Sequence, residues 1–294
     1  MAHAPGFTGS PLDRAEHIRL TPEAFEAARA DPAARLLRLD GIDPVLDGGD
    51  GLGWDALAQA PADAPLALLG LIDGIPHFTA LVADPTRDGR SPGIFAVLDR
   101  LHPGDAATFA AARSLISWHA RHRFCANCGT PTDIFRAGWG RRCPSCNTEH
   151  FPRVDPVVIM LAEHGTGADA RVLIGRQPSF PPQRFSALAG FLEPAESIEE
   201  AVARELHEEA GVRATRVRYV TSQPWPFPSQ LMIACIACVD DDAITLDRNE
   251  LDDAKWVTRA EVADALAGAA DASFIPPPRF AIAYTLFERW LEGA

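Results

Sequence analysis

The chain has 294 residues, enough for about two domains of roughly 150 residues each. With 47% hydrophobic and 23% charged residues it has the make-up of a globular protein, and no apolar run approaches the ~20 residues needed to span a bilayer. A net charge of −13 argues against a broad electrostatic grip on nucleic acid, leaves room for an RNA end held in a local pocket, and means that an anionic substrate needs bound cations.

The first residues lack a basic head followed by an apolar run, and the last carry no receptor-read address, so a cytoplasmic location is expected. Residues 1–120, rich in Ala, Leu, Asp and Pro, are expected to form an N-terminal α/β domain that packs and dimerises. Within it, residues 66–82 read as two strands joined around Asp73-Gly74, a hairpin turn signal. Residues 105–122 read as a helix with Asp105 as its N-cap. No catalytic constellation occurs in this segment.

Residues 121–150 carry two C-x-x-C knuckles, Cys125/Cys128 and Cys143/Cys146, separated by fourteen residues. Each knuckle aims two thiolates at one point, and two knuckles complete a tetrahedral shell for Zn2+. Four thiolates leave no open position for water, so this zinc is expected to be structural. Gly129, Gly138 and Gly140 suit the turns of a ribbon. His119, His122 and His150 lie nearby in sequence, but the shell is already full. Cys235 and Cys238 also read C-x-x-C, within an apolar, strand-like run where such positions face opposite sides, and are expected in the core.

From residue 151 to 294 the pattern reads strand, strand, helix, strand, strand, helix. Strands are expected at 156–161 and 171–174, joined by a turn at 164–169, and a final helix at about 279–291 after Pro276-Pro277-Pro278. The first of these helices carries Glu205, Glu208 and Glu209 at i, i+3 and i+4, which places three carboxylates on one side. Ala201, Val202, Leu206 and Ala210 supply apolar contacts. Clustered carboxylates repel one another, and a hard divalent cation turns that repulsion into a binding site, so Mg2+ or Mn2+ is expected. Glu196 and Arg204 are expected to pair and fix the preceding loop, Gly190 to let the backbone turn before the helix, and Gly211 to end it.

Residues 190–212 match, position for position, the Nudix box G-x5-E-x7-R-E-U-x-E-E-x-G-U, through Gly190, Glu196, Arg204, Glu205, Leu206, Glu208, Glu209, Gly211 and Val212. At about one in fifteen per fixed identity, seven identities arise by chance on the order of once in 10^8 positions. The resemblance implies an α/β (α+β) chain. Its C-terminal Nudix domain would be an α/β/α sandwich with a mixed sheet, preceded by the zinc ribbon and the N-terminal α/β domain.

The box names a reaction, metal-assisted attack of water on a pyrophosphate, but not a substrate. Ser222-Gln223-Pro224-Trp225-Pro226-Phe227-Pro228 follows the box by ten residues. Three prolines exclude a helix interior or a central strand, so a stiff loop is expected to present Gln223, Trp225 and Phe227. From its residues alone, this loop is equally a substrate wall or a packed structural element.

The run resembles the SQPWPFPxS signature of the NADH pyrophosphatase subfamily, which also carries a four-cysteine zinc ribbon before the Nudix domain. That resemblance implies cleavage of NADH or NAD+ to AMP and the nicotinamide mononucleotide, removal of NAD caps from RNA 5′ ends, and a homodimer with sites completed by both subunits. It implies that Phe191 stacks on a substrate ring and that Phe151 is contributed from the other subunit. It further implies that Glu250, before Lys255-Trp256-Val257, binds metal or assists catalysis. One departure is clear: the chain reads Pro228-Ser229-Gln230, so Gln230 stands where the signature has serine.

Two other readings remain open at this stage. One is a Nudix hydrolase of ADP-ribose or a diadenosine polyphosphate. The other is a zinc-ribbon RNA-binding protein without catalysis, in which Arg141, Arg142 and Arg153 would touch RNA.

Overall fold

Turn signals and short strands in the first half, and doubly buried strands in the second, build two separate units in the computed structural model. It describes residues 4–81 and 93–293. One unit comprises Phe7–Val154 with Pro224–Gln230; the other comprises Met1–Gly6, Asp155–Gln223 and Leu231–Ala294.

The first unit begins with α1 (Glu16–Leu20) and α2 (Pro22–Ala30), followed by the short strands β1 (Arg35–Leu37), β2 (Leu39–Asp40), β3 (Asp43–Pro44) and β4 (Trp54–Ala56). Then come β5 (Leu66–Ile72), β6 (Ile75–Ala80), α3 (Ile94–Leu98) and α4 (Pro103–Arg121). The sheet order is β4-β1-β6-β5, with β1 parallel to β6 and the other pairs antiparallel. Asp73 and Gly74 both have positive φ, 51° and 78°, as a two-residue primed hairpin turn requires. The expected hairpin extended to Val82, which lies outside the described residues. Helix α4 starts two residues earlier than expected, because Pro103 supplies a pre-set φ at its first turn after His102. Asp105 does not cap it; its carboxylate accepts from the Leu52 N–H at 3.2 Å.

The ribbon strands β7 (Asp133–Phe135), β8 (Gly140–Arg142) and β9 (Glu149–His150) form an antiparallel sheet within this same unit. The ribbon is docked on the hairpin. The Trp139 indole N–H donates to the Leu68 carbonyl at 2.7 Å, and the Arg19 guanidinium lies 3.8 Å from the Trp139 ring centre. Gly138 (φ 89°) lies so close to Ala67 that any side chain there would collide with it.

The second unit contains β10 (Asp155–His164), β11 (Arg171–Arg176), β12 (Leu188–Phe191), α5 (Ile198–Ala210) and all but the facing ends of β13 (Ala214–Trp225) and β14 (Gln230–Val239). It ends with β15 (Asp253–Thr258), α6 (Arg259–Ala267) and α7 (Ile282–Glu292). The mixed sheet runs β13-β14-β10-β11-β15, with β12 paired to β10. Side chains alternate across it. Val158, Met160, Ala162, Ile233, Cys235 and Ala237 face a core that includes Ala201, Val202, Leu206 and Ala210 of α5. Ile159, Leu161, Ala234 and Ile236 face a second core built on α6 and α7. Burial on both faces explains why β14 reads as an unbroken apolar run. Burying Val202 and Leu206 contributes roughly 1.5–3 kcal/mol each to holding α5 on the sheet.

Three differences from the sequence reading follow from physics. The short β12 carries too little alternation to read as a strand. The expected stiff loop is half strand, because β13 runs on through Ser222 to Trp225, and an edge strand tolerates a proline that a central one does not. Cys235 is in the core, but Cys238 is only half-buried, with an Arg216 N–H 3.4 Å from its sulfur. Among the described residues no helix is long and apolar enough to cross a membrane.

Candidate active site and metal centre

Helix α5 is fixed at both ends. Ser197 caps it through a reciprocal box, accepting from the Glu200 N–H at 3.2 Å while the Glu200 carboxylate accepts from the Ser197 N–H at 2.7 Å. At the other end Gly211 adopts the left-handed conformation (φ 71°) that terminates helices. The segment before β15 is tied to the helix end by Thr245 N–H to Ala210 O (2.8 Å) and Asp247 N–H to Glu209 O (3.0 Å). These two bonds bring Glu250 into the electrostatic neighbourhood of Glu205 and Glu209. Sequence reading missed both, and no motif announces them.

Arg204 organises the cluster. Its Nε and Nη2 grip Glu196 at 2.7 and 2.9 Å, Nη2 also donates to the Phe191 carbonyl at 2.9 Å, and Nη1 reaches Glu205 (2.8 Å) and Glu208 (2.9 Å). The bidentate bond from Arg204 holds the Glu196 carboxyl down at about 2. The site thus sets one cation among five carboxylates: Glu205, Glu208 and Glu209 on the helix, with Glu196 before it and Glu250 from the segment before β15.

Glu209 is the exposed weakness of this arrangement. It is 4% exposed, and its Oε2 has no hydrogen-bond partner. Burial, then the nearby charges of Glu205, Glu250 and Glu208, push its carboxyl up to about 8. Glu205 is also raised, mainly by burial. Gly190 does not serve as a turn, contrary to expectation: it lies within β12, and the Glu205 carboxylate occupies the space that a side chain there would fill. An orphaned buried oxygen, surrounding carboxylates and a cradle kept open by glycine fit a hard divalent cation.

The cysteine centre is assembled differently. The two knuckles have the same hydrogen bonds: Gly129 N–H to Cys125 O and Cys125 N–H to Thr130 O in one, Asn147 N–H to Cys143 O and Cys143 N–H to Thr148 O in the other. Gly129 and Asn147 take the same left-handed conformation, with φ of 75° and 59°. Cys125 and Cys146 sulfurs lie 3.6 Å apart, Cys128 and Cys143 sulfurs 3.5 Å apart, and all four within 4.8 Å of one another. Zn–S bonds of about 2.3 Å give tetrahedral edges of about 3.8 Å, so the four thiols fit zinc. His150 contacts the Cys125 sulfur at 3.3 Å from outside the set. His119 bonds the Gly138 carbonyl and His122 the Trp118 carbonyl.

The remaining expected residues divide. Phe191, 55% exposed, ends β12 next to the Arg204 network. Phe151, 47% exposed, lies in the other unit, 6.0 Å from Phe135 and 5.2 Å from the Arg136 guanidinium. Gln223 does not face a ligand. It is 0% exposed, its amide N–H groups donate to Gly6 O (3.0 Å) and Phe280 O (2.7 Å), and its oxygen accepts from Ile282 N–H (2.8 Å). A buried amide with its bonds fully used by backbone is a strut. Trp225 and Phe227 are partly exposed within a ring cluster with Phe7 and Phe95. Gln230 is half-buried, and Ser229, the displaced serine of the signature, donates to the Arg153 carbonyl at 2.7 Å. Arg141 is engaged by Thr132 and His119, and Arg142 by Glu149.

Residues 152–276 match the NUDIX domain family, and residues 120–151 match the NADH pyrophosphatase zinc ribbon domain. The chain is 38% identical over 292 residues to the NAD-capped RNA hydrolase NudC of Mycobacterium bovis, covering 95% of this chain and 92% of that one. It is 46% identical over 201 residues to the human NAD-capped RNA hydrolase NUDT12, covering 66% of this chain but 43% of that one, so it spans less than half the length of that relative. The carboxylate helix, the four-cysteine ribbon and the near full-length likeness to NudC lead to one assignment: the chain belongs to the Nudix hydrolases, in the NudC and NUDT12 subfamily.

Proposed function

We propose that this chain hydrolyses the pyrophosphate bond of NADH and NAD+ to AMP and the nicotinamide mononucleotide, and removes NAD caps from RNA 5′ ends. The observation that carries the reading is the buried, unpartnered Glu209 oxygen among Glu205, Glu208 and Glu250. Glu205, Glu208, Glu209 and Glu250 would hold Mg2+ or Mn2+, and Cys125, Cys128, Cys143 and Cys146 a structural Zn2+. A bound divalent ion supplies neutralisation of the pyrophosphate charge and a more acidic water.

The chain's own residues then do the following. Arg204 sets the rotamers of Glu205 and Glu208, leaving Glu209 free to ligate. In this reading Glu250, carried on the segment that Thr245 and Asp247 tie to the helix end, binds metal or accepts a proton from the attacking water. Phe191 offers an exposed ring to the base or nicotinamide, with Phe151, Trp225 and Phe227 as further ring contacts. Gln223 and Ser229 support this binding as struts. Relatives named for capped RNA favour that substrate over ADP-ribose or a diadenosine polyphosphate.

We further propose a homodimer whose partner contributes Phe151, and a division into residues 1–120, 121–150 and 151–294. Six free thiols suit a reducing, cytoplasmic setting. The test is a kcat/KM comparison of NADH, NAD+, ADP-ribose and an NAD-capped RNA with each metal. AMP release from NADH and capped RNA well ahead of ADP-ribose supports the reading; a preference for ADP-ribose overturns the substrate and keeps the chemistry.

A further inference from the structure

Proline supplies no N–H, so within Pro224-Trp225-Pro226-Phe227-Pro228 only the two aromatic residues have a backbone donor. Such a segment has to be gripped by its carbonyls, and the donors must come from elsewhere in the fold. Helix α4 provides them. Arg113, in the middle of that helix, is 0% exposed. Its Nε donates to the Pro226 carbonyl at 2.9 Å, and its Nη1 donates to the Ile42 carbonyl at 3.2 Å and lies 3.4 Å from the Asp43 carboxylate. The guanidinium carbon lies 4.7 Å from the centre of the Phe227 ring. One residue on, the Ser114 hydroxyl donates to the Pro228 carbonyl at 3.2 Å.

The charge is the informative part. Burying a guanidinium is costly even beside a carboxylate, and an aliphatic side chain would fill the same space without that cost. A planar, forked donor does something an aliphatic residue cannot: it fixes a carbonyl and an aromatic face in one plane of reference. Trp225 and Phe227 are then held at 5.3 Å from each other, with Phe95 5.8 Å from Phe227 and Phe7 5.7 Å from Trp225.

We propose that Arg113 is the positioning residue of the proline-aromatic segment, setting the direction in which Trp225 and Phe227 meet the planar ring of the substrate. This rests on the proposal above that the segment binds substrate. Arg113 touches no reacting atom, so its loss acts on KM and spares kcat.

The experiment measures kcat and KM for NADH in the full-length protein and in Trp225→Ala, Arg113→Met, Arg113→Lys and the Arg113→Met/Trp225→Ala double variant. Unfolding midpoints are read in parallel. Trp225→Ala and Arg113→Met are each expected to raise KM about tenfold with kcat within about twofold, and Arg113→Lys to raise it about threefold. The double variant is expected to be no worse than Trp225→Ala alone, because both changes remove the same contact. A wild-type KM in Arg113→Met, or additive effects in the double variant, overturns the proposal. If Arg113→Met does not fold, Arg113→Lys decides: a raised KM supports positioning and an unchanged one overturns it. An unchanged KM in Trp225→Ala overturns the substrate role of the segment itself, and this inference with it.

Discussion

The four-cysteine centre and the carboxylate helix are both built to hold metal, and they are organised in opposite ways. At the cysteines, two short knuckles with matching hydrogen bonds bring every ligand atom within 4.8 Å of every other, and the set is complete. On α5 the carboxylates cluster without closing on one another: Arg204 occupies Glu205 and Glu208, and Glu209 is left buried with an unpartnered oxygen. The first arrangement has nothing left to bind and is suited to holding a fold. The second keeps unsatisfied charge, which is unfavourable for the fold and useful for chemistry. A saturated shell and a strained one need no difference in rigidity to differ in role; the difference is whether any valence is left over.

That contrast can be attacked directly. The largest effect is expected from Glu209→Gln, which should lower kcat about 10^3-fold, or roughly 4 kcal/mol in barrier. The same change should raise the unfolding midpoint of the metal-free protein, since a neutral amide replaces a buried carboxyl that must take up a proton on folding or stay charged without a partner. Retained activity would place the chemistry elsewhere.

Cys143→Ser should do the reverse, lowering the midpoint by roughly 10 °C with loss of bound zinc, whereas stripping Mg2+ or Mn2+ should abolish turnover and move the midpoint little. Zinc content and calorimetry together separate these outcomes. Next in size is Gly190→Ala, whose methyl group displaces the Glu205 carboxylate. Turnover should fall about 30-fold with the midpoint nearly kept, equivalent to about 2 kcal/mol of lost transition-state stabilisation; an unaffected kcat would show that Glu205 can move without consequence.

The smallest effect concerns His119, where the ribbon meets α4. Burial, opposed by its bond to the Gly138 carbonyl and aided by the Arg141 cation, lowers its imidazole to about 4. The folded protein therefore binds fewer protons than the unfolded chain between about pH 4 and 6.5, so stability is fully present above that window and is lost as pH falls through it. His119→Gln should show a shallower decline of the midpoint across that range, by a few degrees. Parallel declines would remove His119 from the acid response.

Much of the catalytic helix was readable because its constraints are local. Three carboxylates at helical spacing and a terminal glycine act within one element, and the Glu196–Arg204 pair spans eight residues; the Ser197–Glu200 capping box, equally local, was not read. The knuckles were readable for the same reason, although Asn147, the counterpart of Gly129, was not recognised because Asn reaches the left-handed region without announcing it. What stayed hidden depends on tertiary neighbours. Gly190 is required by a carboxylate fifteen positions away, not by its own backbone. Gln223 looked like a ligand contact because its motif is associated with substrate, and only its three backbone partners reveal a strut. Arg113 left one trace, a charge in the middle of an alanine-rich apolar helix, which has no meaning until Pro226 is placed against it.

Gln223 also imposes an order in time. Its amide joins Gly6 to Phe280 and Ile282, so the bonded positions run from residue 6 to residue 282. At a synthesis rate of about 5–20 residues per second, Gly6 is added to the chain roughly 14–55 s before its distant neighbours. The helix, the strands and the cysteine knuckles can form as they emerge, but this knot closes only when synthesis is nearly over. A chain truncated just before residue 280 would carry every catalytic carboxylate and still lack the seam that joins its two ends.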